Sequence, residues 1–209
     1  MQRCIETRGS SVKSCLSQQA RVIGICRARR FAVLLIGVAC LAAGPLLADA
    51  SRGELAGHRL GERVALDLVP ASKAQADGSL RIAAAGADDG FDSVYLYASP
   101  VSGEVGKIAL SRRLATLEDA RSVAGTIVAN VEARYPDWER LRAPLPMGKT
   151  GGEMLSRLQL GKHALIVFYR PLEQAGYEVM LELEYSSKAP QRKAWRQLVG
   201  AEREVLREN

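Results

Sequence analysis

Near the carboxyl end of the chain, the segment Tyr177-Glu178-Val179-Met180-Leu181-Glu182-Leu183-Glu184-Tyr185 alternates between apolar and charged side chains. Successive side chains of a β-strand point to opposite faces, so this pattern predicts a strand with an apolar face and with its glutamates directed towards water. The preceding segment, His163 to Arg170, is apolar at nearly every position, which is typical of a strand covered on both faces. The residues between them, Pro171 to Gly176, predict a hairpin loop, so we expect two antiparallel neighbours.

Other segments extend this pattern into a complete fold. Apolar residues, among them Ile127 and Val128, recur at helical spacing from Leu117 to Tyr135, behind a capping residue at Thr116. A second amphipathic helix begins near Pro190, and its spacing places one apolar stripe on Trp195, Leu198, Val199, Val205 and Leu206. The sequence therefore predicts an α+β domain in which two amphipathic helices pack on one face of an antiparallel sheet of about five or six strands. The remaining predicted strands are 64–69, 79–84, 93–98 and 104–114, and 137–152 is predicted to be a loop.

The first 50 residues resemble an export signal rather than part of that domain. Three arginines at 27–30 precede an uncharged run, Phe31 to Ala48, which Gly44-Pro45 interrupts, and the run leads into Ala48-Asp49-Ala50. Cations, an apolar stretch and a small-x-small motif are the layout of a cleavable signal peptide, so we expect cleavage between Ala50 and Ser51. The alternative is an uncleaved signal-anchor, because the same run has nearly the length needed to cross a bilayer. Residues 51–209 would then be a single exported domain, with 51–60 as an irregular arm.

Charge and cysteine content support this division of the chain. The whole chain has a formal charge of +6, and the first 50 residues carry +5 of it, so residues 51–209 are close to neutral. A basic balance that belongs to a targeting segment does not indicate nucleic-acid binding by the domain. All four cysteines lie within the first 40 residues, and a domain of this length can bury a core without disulfides. We therefore expect an exported protein of the periplasm or cell envelope, with membrane contact only through a retained leader.

No motif in the chain identifies catalysis, a metal site or a cofactor. Gly148-Lys149-Thr150 resembles the end of a phosphate-binding loop, but Ala143 stands where that loop requires its first glycine. Asp88-Asp89 lacks the ligand spacing of a calcium loop. The two histidines of the domain, His58 and His163, are about a hundred residues apart; we expect His58 to be exposed and His163 to be a satisfied residue at a strand end. The sequence therefore predicts no catalytic residue, no metal ligand and no cofactor.

The most suggestive residues are two tyrosines of the predicted strand 93–98. Val94 and Leu96 share one face of that strand, and Tyr95 and Tyr97 share the other. If helices cover the first face, the tyrosines lie on the open side of the sheet, where ring and hydroxyl together suit partner binding. Cross-strand packing against neighbours such as Lys107 or Glu182 is the alternative role for them. We expect a small non-enzymatic binding or accessory protein of the bacterial cell envelope, with an unknown envelope protein or small ligand as partner; an exported hydrolase or a signal-anchored subunit of a membrane complex are the alternatives.

Overall fold

The computed structural model describes residues 49–66, 73–86, 90–142, 145–147 and 151–208. Within them the alternating segments pair as antiparallel strands, and the two predicted helices form. The elements are β1 (Glu54–Leu55), β2 (His58–Arg59), β3 (Lys73–Ala74), β4 (Leu80–Ala84), β5 (Ser93–Ala98), β6 (Val105–Leu114), α1 (Leu117–Arg134), β7 (Glu139–Arg142), β8 (Leu145–Pro146), β9 (Glu153–Leu160), β10 (His163–Pro171), β11 (Tyr177–Tyr185) and α2 (Pro190–Glu208).

The main sheet of the described residues has nine strands, all of whose pairings are antiparallel. Eight follow the order β3-β4-β5-β6-β11-β10-β9-β7, and β8 pairs with β9 beside β7. The predicted α+β class with an antiparallel sheet is confirmed, whereas the predicted count of five or six strands is wrong. The additional strands are β3, β7 and β8, which form inside segments with loop composition, and β9, whose alternation is weak.

One predicted strand does not form as expected. Val64, Ala65 and Leu66 belong to no strand, and the neighbouring Arg63 makes a single antiparallel bridge to Glu104. The rest of that predicted strand, 67–69, lies outside the described residues. The alternation of apolar residues at 64 and 66 instead serves packing, because both side chains lie against the main core.

The helix α1 covers the middle of one sheet face. It packs on β6, β9, β10 and β11, and its small residues Ala120 and Ala124 are fully buried against the strands together with Val131. Ile127 and Val128, which the helical spacing singles out, are partly buried beside this core. The predicted N-cap is confirmed, since the Thr116 hydroxyl accepts a hydrogen bond from the Asp119 backbone N–H at 3.1 Å.

The helix α2 does not pack beside α1, and the prediction of two helices on one face is wrong in this respect. Its buried residues, Trp195 and Val199, lie outside the core cluster that contains the α1 residues. Instead, α2 crosses the end of the sheet where β11 finishes, reaching Glu104 before β6 and Gly78 before β4. Val205 and Leu206, predicted on the same buried stripe, are 50% and 55% exposed. Within the described residues, neither helix combines the length and apolarity needed to span a membrane.

The segment 51–60, expected to be an irregular arm, is instead folded onto the domain. A 3₁₀-helix, Ala50–Arg52, precedes the two-stranded β1–β2 pair. Ala50 and Leu55 are 1% and 0% exposed and belong to the main core. The domain therefore begins to bury apolar surface at the residue where the predicted signal ends.

Candidate functional site

The sheet face turned away from α1 has an apolar floor of its own. Its members come from neighbouring strands of the sheet, except for Met147, which follows β8. No helix residue belongs to this cluster in the described part of the chain. Charged side chains of β4, β6, β9, β10 and β11 lie over the floor, and we call this surface the charged face. Its floor is Tyr97, Ala109, Ile166, Phe168 and Met180 with Tyr95, Met147 and Met154, and its ionic residues are Arg81, Lys107, Arg157, Arg170, Glu178, Glu182 and Glu184.

Glu178 is the most deeply buried carboxylate of the charged face, with 2% of its side chain exposed. It accepts hydrogen bonds from Arg170 Nη2 at 2.6 Å and from the Ser111 hydroxyl at 2.6 Å, and Arg81 Nη2 lies 3.4 Å away. Burial by itself favours the neutral acid, but the Ser111 hydrogen bond and the Arg170 guanidinium outweigh it and hold the pKa of Glu178 below its ordinary value of 4.5. Glu178 is therefore ionised at neutral pH, with two arginines around it.

Glu182 lies on the same side of β11 as Glu178, and Met180 stands between them on that side. Lys107 Nζ donates to its Oε1 at 3.1 Å, and 10% of the Glu182 side chain is exposed. Burial raises the pKa of Glu182 more than Lys107 lowers it. Burial alone would lower the pKa of Lys107, but the Glu182 carboxylate reverses that effect and raises it, so the lysine remains charged.

Glu184 closes the row at the end of β11. Arg157 Nη2 of β9 lies 3.4 Å from its Oε1, and Arg192 of α2 contacts the same oxygen. The charged face therefore holds three carboxylates against five cations, counting Arg192. It carries a net positive charge even though the domain as a whole is nearly neutral.

The prediction that these glutamates point to water is wrong because of their neighbours. Glu178 stands directly opposite Arg170, and Glu184 stands opposite Lys107. Long cationic side chains from the flanking strands lie across the row and exclude water from it. A single strand's alternation shows which side its glutamates take, but the cations that cover them are distant in sequence.

The structure places Tyr95 and Tyr97 on the charged face, on the opposite side of β5 from Val94 and Leu96. The Arg81 guanidinium lies 3.6 Å from the centre of the Tyr95 ring, and Lys107 Nζ lies 3.8 Å from that of Tyr97, both within the range of cation–π attraction. Tyr97 is only 5% exposed, while Tyr95 is half-buried. The two rings therefore support the ionic layer from below, and their role in binding stays a prediction.

Three buried polar atoms of the described residues have no hydrogen-bond partner, and all belong to strands that form the charged face. They are Arg81 Nε, Arg157 Nε and Gln159 Oε1. Arg157 and Gln159 stand opposite Ile166 and Ala164 of β10, which share a side with Phe168. Leaving such an atom unpaired typically costs about 1–3 kcal/mol, so native structures contain few of them. The unpaired buried polar atoms of the described residues therefore lie in strands that form the charged face.

The two histidines each serve the fold. His58 is partly buried rather than exposed as expected: its Nδ1 lies 3.0 Å from Glu62 Oε1 and its Nε2 lies 3.4 Å from the Ala85 carbonyl. His163 begins β10 and is 4% exposed, with Nδ1 3.0 Å from the Ser51 carbonyl, as predicted for a satisfied strand-end residue. Burial lowers the pKa of His163, so the ring is neutral at pH 7. Each ring therefore has a structural partner.

Other sequence motifs contribute little to the site. Gly148-Lys149-Thr150, Asp88-Asp89 and Ala48 lie outside the described residues. Ala50 and Ser51, the other two residues of the predicted cleavage site, belong to the 3₁₀-helix at the start of the domain. In the portion of the chain that the structure describes, no three metal-ligating side chains come together.

Comparison of the chain with protein-family models, with curated proteins and with solved structures found no match. The functional interpretation therefore depends on the geometry of the domain itself. Sequence reasoning found the two tyrosines of the charged face and named Lys107 and Glu182 as their cross-strand neighbours, but it missed the arginines of that face. The ionic residues can be recognised once the strand order is known. The glutamates on one side of β11 then stand opposite Arg170 of β10 and Lys107 of β6, the two strands that flank β11.

Proposed function

We propose that this chain is a small exported, non-enzymatic binding or accessory protein of the bacterial cell envelope, and that the charged face is its binding surface. The observation that carries the proposal is that, among the described residues, no helix contributes to the floor of this face: the floor is assembled from strands, with Met147 as an addition, whereas α1 covers the other face. The long side chains of the sheet itself lie over most of this face, and Arg192 of α2 reaches it at Glu184, so a partner can reach the rest of the surface. The leader sequence supports the location, and Tyr95 supports the mode of contact.

The chemistry of the charged face indicates the kind of partner. Its cations outnumber its carboxylates, and arginine is enriched at protein interfaces because it contacts both planar and anionic groups. Arg170 and Arg81 keep 34% and 25% of their side chains exposed, so their outer atoms remain available while Glu178 holds them in place. We therefore propose an envelope protein segment rich in carboxylate or carbonyl oxygens as the partner.

Site-specific photo-crosslinking in intact cells tests this proposal. A photoreactive amino acid is placed at Ala83, an exposed residue that stands opposite Tyr95, and in a second version at the exposed Ala129 on the outer side of α1. We expect a discrete crosslinked product in the envelope fraction from position 83 and none from position 129. Equal crosslinking from both positions, or none from position 83, would contradict the charged face as the binding surface.

A substitution then connects the crosslink to the tyrosines. Tyr95→Ala in the chain that carries the photoreactive residue at 83 should remove the crosslinked product, because truncating a central aromatic residue often costs about 2 kcal/mol or more in binding. Tyr95 is half-buried, so a change in the melting temperature of the variant must be measured beside it. Arg112→Gln, which removes a charge from the opposite side of β6, where Arg112 stands opposite the core residue Val179, is the matched control and should retain the product. A variant Tyr95→Ala that melts normally and still crosslinks would exclude the tyrosine from the contact.

A further inference from the structure

We propose that the end of the sheet crossed by α2 docks on an anionic phospholipid surface, so that the domain has a membrane-facing end in addition to its charged face. This surface, which we call the basic end, consists of Lys162, Lys188, Arg192, Lys193 and Arg196. The proposal goes beyond the binding function above and departs from the sequence-based expectation that only a retained leader contacts the membrane.

Positive charge is concentrated in this part of the chain. Between Tyr185 and Glu202 there are four cations and no acidic residue, although residues 51–209 are nearly neutral overall. Lys188, Lys193 and Arg196 are exposed, and none of them has an ion pair in the described structure. Two acids of this region are already occupied: Glu184 pairs with Arg192 and Arg157, and Glu202 accepts hydrogen bonds from the Val101 and Ser102 backbone N–H groups.

The cations form one surface rather than a scattered set. A shallow groove of about 440 Å³ is lined by Ser187, Arg192, Lys193, Arg196 and Gln197. The turn between β9 and β10 brings Lys162 next to it, because the Ser186 backbone N–H donates to the Lys162 carbonyl at 2.8 Å. Leu160, which is 39% exposed, begins the same turn. An exposed leucine beside lysines and arginines is typical of surfaces that lie at the membrane interface.

A second and independent observation points to the membrane. The Ser51 carbonyl lies 3.0 Å from His163 Nδ1, and His163 directly follows Lys162. In the covalent chain, the apolar run Phe31 to Ala48 ends three residues before Ser51. The first residues of the domain and its most basic surface are therefore at the same end of the sheet, and a leader in the bilayer would emerge beside cations that suit phospholipid phosphates.

Docking by the basic end would also orient the domain. The strands run from this end to the opposite one, so the charged face would stand sideways to the membrane and remain open to partners. Each lysine or arginine held near an anionic lipid surface strengthens binding by about fivefold, and the attraction falls off within a Debye length. The three unpaired cations and Lys162 are enough to orient the domain on an anionic membrane, whereas a neutral membrane would not orient it.

Lysine footprinting of the full chain tests the inference. The chain is reconstituted into vesicles of phosphatidylcholine alone or of phosphatidylcholine mixed with phosphatidylglycerol, and exposed lysines are labelled with an amine-reactive reagent and located by mass spectrometry. We expect about fivefold less labelling of Lys162, Lys188 and Lys193 in the anionic vesicles, reversed by high salt, with Lys107 unchanged because Glu182 already holds it. Equal labelling of these lysines in both vesicle types would overturn the proposal.

Two double variants that remove the same charge from different places distinguish binding by the basic end from general electrostatic attraction to the vesicle. Lys188→Gln with Lys193→Gln should return the labelling of Lys162 in anionic vesicles to the level found in neutral ones, since two such charges contribute about 25-fold to binding. Arg112→Gln with Arg113→Gln removes the same charge from the far part of β6 and should keep Lys162 protected. Loss of Lys162 protection in both double variants would overturn the proposal that the basic end binds anionic lipid. Loss of this protection when a short DNA duplex competes at equal phosphate concentration would overturn it as well. The crosslinking result at position 83 is independent of either outcome.

Discussion

The indole of Trp195 lies directly on the backbone of Gly106, the second residue of β6. Its Nε1 donates a hydrogen bond to the Glu104 carbonyl at 3.1 Å, and the ring is 8% exposed. A methyl group at position 106 would overlap the indole ring. Trp195 and Gly106 together therefore hold α2 across the end of the sheet, although the two residues are far apart in the sequence.

Gly106→Ala should loosen α2 and destabilise the domain. Because the new methyl group has no room beside Trp195, the helix has to shift, and overpacking of this kind typically costs about 1–3 kcal/mol. Urea unfolding measures the loss of unfolding free energy, and tryptophan fluorescence measures greater exposure of the indole. Gly200→Ala is the matched control in α2: nothing lies within 4 Å of its new methyl group, and alanine should stabilise the helix by up to about 1 kcal/mol. Equal stability of Gly106→Ala and the parent chain would show that α2 is not held at this point.

Glu178 should make the domain sensitive to acid. Its folded pKa lies below the ordinary value of 4.5, so its contribution to stability is present above that value and is lost as the pH falls through the folded pKa. Glu178→Gln removes this contribution, and the loss of charge-assisted hydrogen bonds should cost about 1.5–3 kcal/mol at pH 7. The difference in unfolding free energy between parent and variant should shrink as the pH is lowered below 4.5. Glu173→Gln, at an exposed position in the β10–β11 turn, is the control and should leave the pH profile unchanged.

Removing the partner of Glu182 should have the opposite pH dependence. Lys107→Met leaves a buried carboxylate unpaired. Breaking a fully buried ion pair in this way lowers the free energy of unfolding by about 3–5 kcal/mol. We expect a loss of about 2–3 kcal/mol here because 24% of the Lys107 side chain is exposed. Burial already raises the pKa of Glu182, so the variant should regain stability as the pH falls and the carboxylate takes up a proton. Thermal melting across a pH series measures this. Adding Glu182→Gln should restore most of the loss at neutral pH, and a double variant as unstable as the single one would contradict the explanation.

The parts of the fold that the sequence predicts are those whose signal is local. β5, β6, β10 and β11 follow from alternation between clear breakers, and α1 follows from its helical spacing and its Thr116 cap. β9 is harder to see because its register shifts opposite Val167 and Phe168, so Met154 and Ser156 point to different faces although they are two residues apart. β7 and β8 are short edge segments that pair only because β9 offers them a partner.

The candidate site was predictable in its aromatic part, together with Lys107 and Glu182 as cross-strand neighbours of the tyrosines. The sides that Tyr95 and Tyr97 take follow from the alternation of one strand, whereas the ionic layer depends on which strands become neighbours. Arg81 and Glu178 belong to strands at opposite ends of the domain sequence and approach to 3.4 Å across the sheet. A single sequence contains the charges but not the strand order that pairs them.

The burial of Ala50 restricts when the predicted signal cleavage could take place. Ala50 is 1% exposed, and its carbonyl accepts the Gly53 backbone N–H at 3.1 Å, so the bond to Ser51 lies inside a closed turn of 3₁₀-helix. A peptidase requires that bond in an extended chain. If the leader is removed between Ala50 and Ser51, as the sequence predicts, the peptidase has to act before this turn closes. A chain cut at that stage loses its first core residue, whereas a chain that folds first protects the bond and keeps its leader. The relative rates of cleavage and folding would then decide between a free and a tethered domain.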